Sequence, residues 1–167
     1  MKHNNTNLRN KCLLVMAISL GATSMAVADN QNGYYVGANF GGIVHANGGK
    51  NGVTTSLVVG SQQSAYSAFQ LVGMAGGHDN GFVMAESLFM YPLSHFLTPY
   101  LMIGAGYTHL SGNSVGAEIG AGMRFNLSRN LSLTANYRLI QALGSQTPTV
   151  SMVDGGVTYY FGGSGQQ

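Results

Sequence analysis

Apolar residues alternate with small or polar ones through most of this chain, and the alternation is cleanest between positions 97 and 140. Three segments there, 100–110, 115–126 and 131–140, have the period of two expected of a strand with two different faces. SGNS and LSRN separate them. In the middle segment Ala117, Ile119, Ala121, Met123 and Phe125 share one face, and Gly116, Glu118, Gly120, Gly122 and Arg124 the other. The third sets Leu131, Leu133, Ala135, Tyr137 and Leu139 against Ser132, Thr134, Asn136 and Arg138. One face is apolar and free of charge.

The same rhythm predicts a first strand over 33–44, with Tyr34, Val36, Ala38 and Phe40 opposed to Tyr35, Gly37, Asn39 and Gly41. A second and a third fall over 53–60 and 65–75, joined by SQQS, and the pattern leaves their phase open. In the fourth, 81–91, Val83, Ala85, Phe89 and Tyr91 oppose Met84, Glu86, Leu88 and Met90. The last, 149–161, sets Val153, Val157, Tyr159 and Phe161 against Met152, Asp154, Gly156, Thr158 and Tyr160. Turn-forming stretches lie between them: HANGGKN, GGHDN, PLSHFLTP and LGSQTP. Pro92 and Pro99 are expected to bracket a turn, where neither removes a ladder hydrogen bond. Eight strands result, and an even count lets an up-and-down sheet close with both ends on one side.

Composition decides which face meets what. Only 7% of the residues are charged and 25 are glycine, against roughly 25 to 35% charge on an ordinary water-exposed surface. A soluble secreted β-sandwich would have to explain that missing charge. The alternative inverts the geometry: apolar side chains face lipid, while glycines and a few charges fill a narrow lumen. The predicted fold class is therefore all-β, an eight-stranded antiparallel up-and-down transmembrane β-barrel. No internal stretch is long and apolar enough for a spanning helix, which needs about 20 residues.

The N-terminus reads as an export signal. Lys2, Arg9 and Lys11 precede an apolar run from Cys12 to Ala22, and Ala26-Val27-Ala28 offers a small-x-small cleavage site. Residues 1–28 are thus expected to be a cleaved signal peptide and residues 29–167 the barrel domain. Removing the leader turns the formal +2 into −1, four basic residues against five acidic ones. No basic patch remains for nucleic acid. The single cysteine, Cys12, leaves with the leader, so the mature chain has no disulfide and no thiolate metal site. His45, His78, His95 and His109 are scattered over loops and strand ends, poor spacing for a metal. No cofactor is expected.

LTPYLMIGAGYTHL, VGAEIGAGMRFNLSRNLSLTANYRLI and the closing VDGGVTYYF resemble the second half of small OmpA/opacity-type outer-membrane β-barrel domains, and GYYVGANFGG resembles their first strand. The resemblance implies a porin-like or structural protein of a bacterial outer membrane, with short periplasmic turns and outer loops at HANGGKN, GGHDN, SGNS and LGSQTP. It also implies that Tyr159, Tyr160 and Phe161 form the C-terminal signal read by the barrel assembly machinery, although the chain continues with GGSGQQ. Outer-membrane lipid and lipopolysaccharide are the other expected partners, and a monomer the expected state. Adhesins of this architecture bind through extended loops; those here are short.

Strand parity puts Glu86, Glu118, Arg124, Arg138 and Asp154 inside. Counting from the strand ends sets Glu118, Arg138 and Asp154 at similar depth, where an ion-paired cluster is expected because a lone buried charge is costly. Such a cluster could be a structural plug or part of a gated proton or ion path. An eight-stranded interior is narrow enough for side chains to fill. Met84, Leu88, Met90, Met102 and Met152 on the same face read as flexible filler, with a small apolar ligand as the sharper alternative. Outer-membrane lipid A deacylases resemble this chain in placing His-x-Ser at the outer end of a strand, here His109 and Ser111. A base two residues from a hydroxyl could activate it, but the nearest acid, Glu118, points to the other face. Tyr34, Tyr91, Tyr107, Tyr137, Tyr159, Phe125 and Phe161 are expected to form aromatic girdles at the two membrane interfaces.

Overall fold

A computed structural model describes residues 33–45, 51–76, 80–109, 113–143 and 149–161. The expected leader at 1–28 lies outside them. Eight strands follow one another: β1 (Gly33–His45), β2 (Gly52–Gln62), β3 (Ser67–Gly76), β4 (Asn80–Met90), β5 (Leu97–His109), β6 (Asn113–Asn126), β7 (Leu131–Leu143) and β8 (Thr149–Phe161). Each pairs antiparallel with its neighbour in sequence, and β8 returns to β1, from Tyr34 opposite Phe161 to His45 opposite Val150. The ladder closes, so no strand edge is left unpaired. A strand of 13 residues is about 43 Å long at ~3.3 Å per residue, and a tilt of 35–45° leaves enough height for a ~25 Å apolar band.

Burial alternates residue by residue and fixes the phase of every strand. Tyr34 is 73% exposed and Tyr35 1%. In β2 and β3, where the pattern had been ambiguous, Leu57, Val59 and Leu71 face out while Thr54, Ser56, Val58, Gln70 and Val72 face in. β5 begins at Leu97, earlier than the segment read from 100 on, so Pro99 sits inside a strand rather than at the rim of a turn. Pro99 O accepts from Tyr91 N at 2.9 Å, just past the last residue of β4. Its missing N–H therefore falls on a rung where the neighbouring strand has already ended, which is where a strand tolerates proline.

Three tight turns close the rim that carries both barrel ends, and all are built alike. In each, two successive amides donate to a carbonyl closing the turn: Gln63 and Ser64 to Ser67 O, Leu93 and Ser94 to Leu97 O, Leu127 and Ser128 to Leu131 O. The second residue is always serine, and its hydroxyl accepts a nearby amide, from Tyr66 to Ser64, from Leu97 to Ser94 and from Leu131 to Ser128. Serine supplies the acceptor that a bare turn lacks. We call this the turn rim and the opposite end the loop rim.

The lumen is filled in layers. Toward the loop rim lie Ile43, Met74, Phe82, Met84, Ile140, Val150 and Met152, all buried. Charged residues occupy the middle, and tyrosines the turn side. A narrow barrel admits large inward groups only beside small ones, and the register supplies glycine across from them. Tyr35 faces Gly60, Glu86 faces Gly104, Tyr100 faces Gly122 and Asp154 faces Gly41. A Cβ at any of these glycines would run into that facing residue.

Candidate functional site

Arg138 lies near the middle of β7 and is 1% exposed. Period-two alternation sends its side chain inward, and the register sets Gly120 of β6 and Met152 of β8 beside it. The guanidinium reaches across the lumen, while Met102 packs over Gly120. Nη1 donates to Glu86 Oε1 of β4 at 2.5 Å and to Glu118 Oε1 of β6 at 2.8 Å, and Nε to Asp154 Oδ2 of β8 at 3.1 Å. One cation thus ties four strands together, two of them on opposite walls. Charge-assisted bonds of this length are the strong kind.

Neutral amides share the load of three carboxylates on one guanidinium. Gln70 Nε2 donates to Glu86 Oε2 and Asn136 Nδ2 to Asp154 Oδ1, both at 2.6 Å. Tyr35 Oη in turn donates to Gln70 Oε1 at 2.9 Å, and Tyr100 Oη to Asn136 Oδ1. The result is a continuous polar chain from Tyr35 through Gln70, Glu86, Arg138, Asp154 and Asn136 to Tyr100. Glu118 Oε2 has no hydrogen-bond partner. Every other carboxylate oxygen of the cluster is bonded, as burial demands.

Of the five interior charges, the structure brings four together around Arg138 and leaves Arg124 apart. Arg124 sits on the turn side, where Nη1 donates to Gln62 Oε1 at 3.1 Å and to Met90 Sδ at 3.3 Å. The rings of Tyr160, Tyr35 and Tyr100 surround its guanidinium with centroids 5.3, 5.9 and 5.9 Å from Cζ. Glu86 joins the cluster although a count of strand depth singled out only Glu118, Arg138 and Asp154; barrel curvature, invisible in sequence, brings β4 opposite β7. Gln70 and Asn136 were missed because they carry no charge. Asn136 could have been found from parity alone, whereas Gln70 needed the phase of β3.

The five sulfur and leucine positions, Met84, Leu88, Met90, Met102 and Met152, are all buried in the lumen. His109 is exposed on the outer face, with Nδ1 2.6 Å from Asn113 Oδ1. Ser111 lies outside the described residues. Glu118 is inside and held by Arg138, so it does not orient His109. No group of three or more metal-ligating side chains occurs among the described residues. At the end of β8, Tyr159 and Phe161 point outward with rings 5.0 Å apart, and Tyr160 points inward against Tyr35 at 5.2 Å.

The outer surface carries the reverse chemistry. Phe40, Leu57, Val59, Leu71, Val83, Leu101, Ile103, Ile119 and Val157 are exposed around the wall, while the charged side chains of the strands are buried. Only a solvent of hydrocarbon makes that distribution favourable, because in water it would expose apolar area on every strand at about 25 cal/mol per Å². The fold is that of the small outer-membrane β-barrels. Neisserial surface protein A is similar over 77% of this chain and 97% of its own, at 17% identity and a TM-score of 0.61. The N-terminal β-barrel domain of Pseudomonas aeruginosa OprF matches over 78% of this chain and 100% of its own, at 15% identity and 0.61. A de novo designed transmembrane β-barrel matches over 80% and 98%, at 20% and 0.53. No family model and no curated protein matches the chain.

The expected girdles take a different form in this barrel. Tyr34, Tyr91, Phe125, Tyr159 and Phe161 all stand at the turn rim, joined by Tyr66, Phe89 and Phe96. Tyr137 is at mid-height, opposite Ala121 and Val153, and Tyr107 alone represents the loop rim. The described residues thus form one aromatic belt rather than two.

Proposed function

We propose that this protein is a structural barrel of a bacterial outer membrane, closed to ion flow by its own interior. The observation that carries the reading is the Arg138 cluster, which bridges four strands at mid-height between an apolar layer and a tyrosine layer. Buried charges that satisfy one another across a narrow lumen resist opening, since each separated group would need a new partner. Lipid and lipopolysaccharide are the partners of its apolar wall. The outward Tyr159 and Phe161 on the final strand are the groups an assembly machinery would read as that strand enters the membrane.

Planar-bilayer recording tests the closure. Purified barrel should add no steady current to a lipid bilayer, whereas Arg138→Ala should produce flickering openings. A stable open channel in the unmodified protein would overturn the closed reading in favour of a pore. The enzymatic alternative is tested separately: acyl-chain release from lipopolysaccharide that disappears in Ser111→Ala would replace the structural role with a deacylase.

A further inference from the structure

At the turn rim β2–β3, β4–β5 and β6–β7 are each joined by one of the three serine turns, but β8 and β1, the last strand and the first, have no turn between them. Their ladder stops there with Tyr34 opposite Phe161. They are also the neighbouring strands most distant in sequence, so bringing them together costs the most chain entropy. A seam that parted would leave N–H and C=O groups unpaired in hydrocarbon, where nothing replaces the lost bonds. Side chains must hold this end.

One residue in from the end, Tyr35 and Tyr160 stand opposite each other across the seam, with ring centroids 5.2 Å apart. The main chain of Tyr160 is fixed from the β7 side: its N donates to Asn130 O at 2.8 Å, and its O accepts from Asn130 Nδ2 at 2.9 Å. Arg124 reaches over both rings from β6, with Cζ 5.3 Å from the Tyr160 centroid and 5.9 Å from that of Tyr35, within the range at which a ring face attracts a cation. Its Nη1 is anchored on Gln62 Oε1 and Met90 Sδ, at the ends of β2 and β4. The guanidinium is only 5% exposed, and desolvation strengthens its attraction to the rings. The acids among the described residues, Glu86, Glu118 and Asp154, do not compete for it, because all three are bound to Arg138. We propose that Arg124, Tyr35 and Tyr160 form a clasp that stands in for a fourth turn, holding the β1–β8 seam shut at the turn rim. The clasp is separate from the Arg138 cluster and does not depend on whether the lumen conducts.

Hydrogen exchange of the barrel in detergent micelles, resolved by residue, tests this. In the unmodified protein, amides bonded across β1–β8 near Tyr35 and Tyr160 should exchange no faster than those beside the three turns. Arg124→Met, which keeps a long side chain without the charge, should speed exchange about ten-fold or more at that end of the seam and by less than about two-fold in the turn-joined pairs. Tyr160→Leu should behave as Arg124→Met does, and Tyr160→Phe, which keeps the ring, should change exchange less. Ala38 and Val157 face each other on the outer side of the seam, and Ala85 and Ala105 do so across β4–β5. A disulfide joining Ala38→Cys to Val157→Cys should therefore restore slow exchange in Arg124→Met, whereas one joining Ala85→Cys to Ala105→Cys should not. If Arg124→Met does not fold, the two Tyr160 variants carry the same comparison. A seam end that exchanges faster than the turns in the unmodified protein, acceleration spread evenly over all strand pairs, Tyr160→Phe as fast as Tyr160→Leu, or equal rescue by either disulfide would each overturn the clasp.

Discussion

Replacing Arg138 by alanine would strip three charge-assisted hydrogen bonds, of 2.5, 2.8 and 3.1 Å, from three side chains almost fully removed from solvent. The glycine opposite it, Gly120, offers nothing to take the place of the guanidinium. Removing one partner of a buried ion pair costs about 3–5 kcal/mol, chiefly because the remaining charge is stranded. Here three carboxylates would be stranded in a lumen walled off from water, so the upper end of that range is expected. A loss of about 5 kcal/mol lowers the folding constant roughly four-thousand-fold. Reversible urea unfolding in lipid vesicles, followed by the gel mobility of boiled and unboiled samples, measures the change. A companion variant isolates charge from shape: Arg138→Met with Glu86→Gln, Glu118→Gln and Asp154→Asn should recover part of the stability, since it removes the stranded charges but leaves buried amides that still need partners. Arg138→Ala within about 0.5 kcal/mol of the unmodified protein, the range of an ordinary surface change, would refute the reasoning. So would a quadruple variant as unstable as the single one.

Other positions separate the two faces and the turns. Leu57, 70% exposed at mid-strand in β2, should cost about 2–4 kcal/mol when changed to arginine, because the side chain would enter hydrocarbon; a neutral result in vesicle unfolding would place that face in water. Gly122→Ala should displace the ring of Tyr100 and break its bond to Asn136, visible as a lowered unfolding midpoint together with an altered tyrosine spectrum. Gly73→Ala, which meets nothing within 4 Å on the outer face, should leave both unchanged. Ser128→Ala removes the acceptor for Leu131 N in the third turn, a change of about 0.5–1.5 kcal/mol measurable in the same urea series.

The sequence by itself determined the strands, their number and, for six of them, which residues face which way. Period-two alternation is a local property, and with so little charge the apolar face could only be the outer one. It also determined that Glu86, Glu118, Arg124, Arg138 and Asp154 share the interior, since parity survives any curvature of the sheet. Tertiary structure alone decided who meets whom. Glu86 reaches Arg138 from a strand 52 positions away, and Arg124 is steered to three tyrosines instead of an acid, because closure and tilt fix depth across the lumen and neither is written in the spacing of one strand. The phase of β2 and β3 was settled in the same way. Their threonines, serines and valines fit either face in isolation, and only pairing with β1 and β4, whose phases are unambiguous, forces Gln70 inward and Leu57 out. The single aromatic belt has the same origin: strand ends define a rim only after the strands are staggered around a closed wall.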